Sequence, residues 1–126
     1  MPVRYELLPH RAVHVRMTGA IHPAEVVDFL HNLALDPALE PAMPHLGDMR
    51  GVTQPATGAD LERIASALER MRPHFVGVRC AVVVASPLVF GTVRQFGAMV
   101  ERAGMDVTPF VDERAAWAWL GVEPPG

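Results

Sequence analysis

The amino-acid sequence predicts an α/β domain built on a mixed β-sheet of about five strands. Three observations support this class: period-two alternation in the first 17 residues, an almost wholly apolar run at residues 78–85, and amphipathic segments with helix-capping residues between the predicted strands. The predicted element order is ββαβαβαβα, which gives an N-terminal hairpin followed by right-handed parallel crossovers. With 126 residues, the chain is expected to form one domain, residues 1–126.

Alternating residues predict the hairpin. Apolar side chains occupy every second position of residues 3–7 and again of residues 13–17, with charged or polar side chains between them. Pro9-His10-Arg11 separates the two runs. This pattern is typical of two antiparallel strands with one buried face.

Capping residues predict the first two helices. Pro23 is suited to a first helical position, with Glu25 in the first turn, and the apolar spacing stops before Pro37. A short strand is expected around His45–Met49. Thr57 is then the predicted N-cap of a second helix, with Asp60 three residues later.

The run at residues 78–85 has no polar residue after Arg79, so it is the predicted central strand, covered on both faces. Ser86 and Pro87 are suited to start the third helix, and Gly104 to end that unit in a left-handed conformation. A last strand is expected in "MDVTPFVD".

Asp112 is suited to cap the closing helix. Helical spacing predicts that Ala116, Trp119 and Leu120 point to the core. Met99 and Trp117 lie off the main apolar stripes and would mark a contact surface if they were exposed.

Composition excludes several classes of protein. A formal net charge of −3 offers no general attraction to nucleic acid, and no apolar run approaches the ~20 residues of a membrane span. Cys80 is the single cysteine and lies in an apolar run, which indicates a small buried side chain and no internal disulfide. We therefore expect an unprocessed cytoplasmic protein.

Five motifs in order carry a resemblance to a known family: "VRMTGAIHPAEVVDFL", "LGDMRGV", "RCAVVVAS", "FGTVRQFGAMVERAGMDVTPF" and "VDERAAWAWLG". Together they resemble the STAS domain superfamily, and most of all its SpoIIAA-like branch of small stand-alone bacterial proteins. The resemblance implies a mixed sheet with four helices largely on one face, a layout also seen in CRAL-TRIO lipid-binding domains.

The family also suggests a phosphorylation switch. Anti-sigma-factor antagonists carry a phosphorylatable serine in a pattern like Asp-Ser-Ser-Gly at the start of the helix that follows the Asp-ended strand. The comparable stretch here is "QPATGADL", in which Thr57 precedes Gly58 and the serine pair is absent. Thr57 is therefore a weak candidate for phosphorylation.

The carboxyl edge of the sheet is the predicted ligand-facing region. Asp48 and Arg50 end a strand there, close to the helix starts at Thr57, Gly58 and Ser86. Helix N-termini present free N–H groups, so this edge can receive an anion. Ordinary helix caps and an Asp48–Arg50 ion pair are the alternative interpretation.

Arg94, on the third helix, is a second-rank candidate for anion binding. A surface salt bridge or a side chain lying along the helix is its alternative role.

No catalytic or metal-binding motif is present. The six histidines lack metal-site spacing, no cofactor is expected, and Cys80 is poorly placed to act as a nucleophile. The predicted function is therefore non-enzymatic binding of a protein partner or of a small anionic or lipid-like ligand. An enzyme using Asp48 as acid or base, and a phospho-regulated antagonist, are the alternatives.

A homodimer is also expected. Four helices gathered on one face would leave the other face incompletely covered, and a second copy of the chain would pack against that face or an adjacent helix.

Overall fold

The structure is a computed structural model that describes residues 3–125. It contains five strands and five helices, with a 3-10 turn at Val100–Ala103 after the fourth helix. The elements are β1 Val3–Leu8, β2 Ala12–Ala20, α1 Pro23–Ala34, β3 His45–Gln54, α2 Gly58–Arg70, α3 Arg72–Phe75, β4 Arg79–Val83, α4 Pro87–Met99, β5 Asp106–Phe110 and α5 Glu113–Leu120.

The five strands form one mixed sheet in the order β1-β2-β3-β4-β5. β1 and β2 pair antiparallel, with Tyr5 opposite Val15, and the other three pairs are parallel. The hairpin and the alternating element order are therefore confirmed. The middle strand is β3, however, so the prediction that residues 78–85 form the central strand was wrong by one position: β4 is an interior strand beside it.

Helix starts follow the predicted capping residues. Pro23 is the first residue of α1, and Thr57 and Asp60 form a reciprocal capping box at the start of α2. Ser86 caps α4 and Asp112 caps α5. These contacts depend on neighbouring residues alone, and for that reason they were predictable from the sequence.

Helices α1 to α4 pack on one side of the sheet, which we call the first face. The largest group of buried side chains lies between them, including Val13, Leu33, Phe75 and Val93. α4 lies close to β5 at Gly97, where an added Cβ would come within 2.5 Å of the Val107 carbonyl oxygen. The absence of a side chain at Gly97 permits this close approach. The four helices on this face include the single-turn α3, which the sequence did not predict as a separate helix.

The closing helix α5 lies on the opposite side, which we call the second face. Trp117 is 1% exposed and packs with Leu46, Ala81 and Val83 of β3 and β4. Trp119 is only partly buried, beside Phe110. Of the three residues predicted to point inward from α5, Ala116 and Leu120 are buried as expected. The prediction was wrong for Trp119, because Trp117 takes the central position against the sheet.

This placement bears on the expected dimer. α5 covers the part of the second face formed by β3 and β4, which was the apolar surface expected to be open. The reason for expecting a second copy there is thereby removed. Within residues 3–125, no helix has the length and apolar character needed to cross a membrane.

Candidate functional site

Alternation along β3 sends two different sets of side chains to the two faces of the sheet. His45, Gly47 and Met49 lie on the first face, under the helices. Asp48 and Arg50 lie on the second face, beside α5. Because Gly47 has no side chain, the middle of the first face is left unfilled at that point.

A cavity of about 130 Å³ occupies this space between the first face and helices α1, α2 and α4. Its walls are overwhelmingly apolar, with Val15, Leu30, Ile64, Val82 and Val93 among them. Such cavities stay dry and are suited to small apolar molecules.

Part of the cavity wall lies toward the carboxyl edge of the sheet. Partly exposed wall residues on this side include Met17 in β2, Met49 in β3 and Ala56 in the loop before α2. Near the start of β3 the wall contains the buried His45 and, opposite it on β4, the partly buried Cys80.

His45 is the unusual member of the wall. It is 4% exposed, and its Nε2 atom has no hydrogen-bond partner within residues 3–125. Burial lowers the pKa of the imidazole to about 4, so the ring is neutral at pH 7. A buried polar atom without a hydrogen-bond partner lowers the stability of the folded protein by ~1–3 kcal/mol, and this nitrogen is such an atom.

Two other wall residues carry polar atoms. Thr92 donates its hydroxyl to the Leu88 carbonyl oxygen at 3.1 Å, so its hydrogen is already used. Cys80 is partly rather than fully buried, which corrects the sequence prediction in degree. Loss of water around its thiol and the nearby Asp106 carboxylate raise the pKa of Cys80 to about 12, so the thiol is uncharged.

On the second face, Asp48 and Arg50 pair with each other. Arg50 donates from its backbone N–H and from Nε to Asp48 Oδ1, each at 3.0 Å, and from Nη2 to Oδ2 at 2.9 Å. These contacts hold the pKa of the carboxyl below its usual range, against the opposing effect of partial burial. On the adjacent strand β2, Arg16 Nε lies 3.8 Å from Asp48 Oδ2.

The same arginine connects β3 to α5. Arg50 Nη2 lies 2.6 Å from Glu113 Oε1, and the other carboxylate oxygen of Glu113 accepts a hydrogen bond from Trp117 Nε1 at 3.2 Å. The cluster of Arg16, Asp48, Arg50 and Glu113 holds two positive and two negative side chains. The four charges sum to zero, so the cluster is suited to hold α5 in one orientation against β3.

Three further predicted residues, Thr57, Gly58 and Ser86, lie at the starts of helices on the first face. Thr57 Oγ1 accepts from the Asp60 N–H at 3.1 Å, and Ser86 Oγ accepts from the Val89 N–H at 3.2 Å. Gly58 follows Thr57 and approaches Gln95, since a Cβ there would lie 3.9 Å from its Nε2.

Arg94 is exposed on α4, beside a groove that it shares with Glu101 and Asp106. The structure thus brings Asp48 and Arg50 together but leaves Arg94 at a different surface. Ligand binding by the six predicted residues stays a prediction.

Sequence reasoning did not single out His45 or Gly47. The available signal was their spacing: a histidine and a glycine two residues apart share one face of a strand whose neighbours are apolar. Recognising that this face lies under three helices required the sheet order.

Comparison with known proteins identifies the fold. No protein-family profile and no curated protein matches the chain. Among solved structures, an uncharacterised protein from the DUF3478 family of Shewanella loihica PV-4, described as having a SpoIIAA-like fold, matches 94% of this chain and 91% of its own, with a TM-score of 0.62 and 16% sequence identity. The chain therefore has a SpoIIAA-like fold, as the sequence resemblance implied.

Proposed function

We propose that this protein is a small, non-enzymatic binding module that holds an apolar, lipid-like molecule in the cavity between the first face and helices α1, α2 and α4. The observation that carries the proposal is the apolar cavity itself, about 130 Å³ in volume, with its partly exposed wall at the carboxyl edge. Apolar pockets with few polar groups are the usual form of small-molecule sites.

An empty cavity of this size is expensive for a small domain. At ~24 cal/mol per Å³, 130 Å³ corresponds to about 3 kcal/mol of lost stability. The total stability of such domains is only ~5–15 kcal/mol. An occupant that restores contacts with the wall would offset much of this cost.

The volume also limits the enclosed part of the ligand. Engineered cavities of ~150 Å³ bind benzene, so a six-carbon ring or a short branched chain is the suitable size. A longer chain would extend from the cavity toward the carboxyl edge, past Met17, Met49 and Ala56.

The test is ligand-observed NMR with benzene and toluene as probes. It compares the wild type with two variants in which one alanine is replaced by phenylalanine. Ala56→Phe places a ring in the accessible wall, whereas Ala98→Phe places the same ring on an exposed position of α4 outside the cavity. We expect binding to the wild type and to Ala98→Phe, and at least tenfold weaker binding to Ala56→Phe. Absence of binding to the wild type, or equal weakening by both variants, would overturn the proposal.

The two alternative functions receive less support from the geometry. A general acid or base at neutral pH needs a pKa near 7, and Arg50 shifts the pKa of Asp48 in the opposite direction. The exposed Thr57 oxygen caps α2, so phosphorylation there would first displace that contact. Incubation with a cognate kinase, followed by mass spectrometry, tests the phosphorylation alternative.

A further inference from the structure

We propose that the free edge of β1 pairs with the same edge of a second copy of this chain, so that two five-stranded sheets join into one continuous sheet across a two-fold axis. Edge strands present unpaired backbone groups and are suited to such pairing. None of the residues of β1 lines the cavity, so this interface goes beyond the proposed function and does not depend on it.

The backbone of β1 directs hydrogen-bonding groups to the open side of the sheet. The Val13 N–H donates to the Pro44 carbonyl oxygen at 2.9 Å, so the backbone of Val13 faces β3 and not β1. Leu7 lies opposite Val13, and in an antiparallel pair its own N–H and C=O then point away from β2. Because this pattern alternates, the N–H and C=O groups of Val3, Tyr5 and Leu7 all face outward.

The other edge of the sheet, formed by β5, is poorly suited to a further strand. Asp106 donates its N–H to the Val78 carbonyl oxygen at 3.0 Å, which places its backbone on the side of β4. By alternation, Val107 and Pro109 face outward from β5, and a proline has no N–H to donate. β1 contains no proline, so it is the edge that can accept another strand.

The side chains of β1 are complementary to themselves about Tyr5. Those of Val3, Tyr5 and Leu7 pack toward the first face, and the alternate residues Arg4 and Glu6 are exposed. When Tyr5 lies opposite Tyr5 of the second copy, Val3 meets Leu7 and the apolar layer continues from one copy to the other. In the same register Arg4 meets Glu6 of the second copy, and the two-fold axis repeats this pair of opposite charges.

Within one chain these two charges are not compensated. Arg4 lies opposite Arg16 in the hairpin, and like charges at directly opposite positions are destabilising. Within residues 3–125, neither Arg4 nor Glu6 forms an ion pair. A second copy paired along β1 supplies an opposite charge to both side chains at once.

Charge also selects this register over its neighbours. The outward backbone groups can still pair with one another if one copy shifts along the other by two residues in either direction. One shift places Arg4 opposite Arg4 of the second copy, and the other places Glu6 opposite Glu6. Both shifts create like-charge contacts, so the register centred on Tyr5 is favoured.

Sedimentation velocity over a range of protein concentrations measures the dissociation constant of the dimer. The variants are Arg4→Glu, Glu6→Arg and the double substitution. Arg63→Glu, at an exposed position of α2, is the control that changes the net charge by the same amount as Arg4→Glu. Each single reversal at β1 should raise the dissociation constant about tenfold, because two opposite-charge pairs become two like-charge pairs. The double substitution restores the opposite charges, so it and the control should dimerise as the wild type does.

Amide hydrogen exchange locates the interface in the wild type. The N–H groups of Tyr5 and Leu7 should exchange more slowly as the protein concentration rises, whereas the outward N–H of Val107 in β5 should not change. A wild type that stays monomeric up to the concentrations used for NMR overturns the proposal. A dimer in which Tyr5 and Leu7 gain no protection also overturns it, as does a dimer that the single reversals leave unchanged or that the double substitution does not restore. The exchange result decides the question even if a variant does not fold.

Discussion

Replacing Gly47 by alanine should stabilise the ligand-free protein, although glycine-to-alanine changes at tightly packed positions usually destabilise. An added Cβ at Gly47 would find Val82 Cγ2 as its nearest neighbour at 3.8 Å, an ordinary van der Waals distance. Gly47 also lacks the positive φ found at Gly19, Gly77 and Gly104, so alanine is compatible with its backbone. The new methyl group would occupy part of the cavity.

The expected gain has two sources. Reduced freedom of the unfolded chain contributes ~0.4–1 kcal/mol, and burial of one methyl group contributes ~0.8 kcal/mol. The sum is about 1–2 kcal/mol. With ~2.1 cal/mol/K of unfolding entropy per residue over 126 residues, the Tm should rise by about 4–8 °C.

Thermal unfolding followed by circular dichroism measures this gain. A benzene titration measures the accompanying loss of benzene affinity, which should be roughly fourfold because the added methyl group removes the contact area of about one methyl group. Gly51→Ala in the same strand is the matched control. A Cβ at Gly51 would lie 2.9 Å from Thr18 Cγ2, so this variant should show no stabilisation. A lower Tm for Gly47→Ala, with benzene affinity unchanged, would refute the existence of usable space beside β3.

Three further predictions follow from the buried and paired side chains. Asp48→Asn should cost ~2 kcal/mol at pH 7 because it removes the charged acceptor of the Arg50 hydrogen bonds and leaves Glu113 as the carboxylate partner of Arg50. Since the folded pKa of Asp48 is lowered, this contribution is present above about pH 4 and disappears as the pH falls through the folded pKa, so urea unfolding of variant and wild type should converge at low pH. His45 is neutral in the folded protein down to about pH 4 but gains a proton near pH 6.5 when unfolded, so the wild type should lose ~2 kcal/mol between pH 8 and pH 5 through this residue. Urea unfolding of His45→Leu over the same range should lack that loss; an unchanged pH dependence would contradict the burial of a neutral imidazole. Trp117→Ala should cost ~3–5 kcal/mol in chemical denaturation, because the side chain is 1% exposed. Leu88→Ala, at a position 68% exposed, is its control and should change stability by less than ~0.5 kcal/mol.

Local chemistry explains how much of the fold was predictable. The hairpin, the Thr57–Asp60 capping box, the Ser86 cap and the left-handed Gly104 depend on residues close together in the chain. A period of two or of 3.6 residues shows whether a segment is a strand or a helix and which of its sides is apolar. Of the candidate site, the Asp48–Arg50 pair was anticipated as an alternative to ligand binding, because two residues of spacing place both side chains on one strand face.

Longer-range packing explains what the sequence left undecided. The apolar pattern of "ERAAWAWL" allows either tryptophan to face inward, and the choice of Trp117 follows from the position of α5 against Leu46, Ala81 and Val83 on the second face. The cavity has the same origin: Gly47 leaves space in β3, and that space survives because side chains from α1, α2 and α4 surround it without filling it. Periodicity along one segment carries no information on the distance between segments, so the volume beside His45 is a property of the assembled sheet and helices.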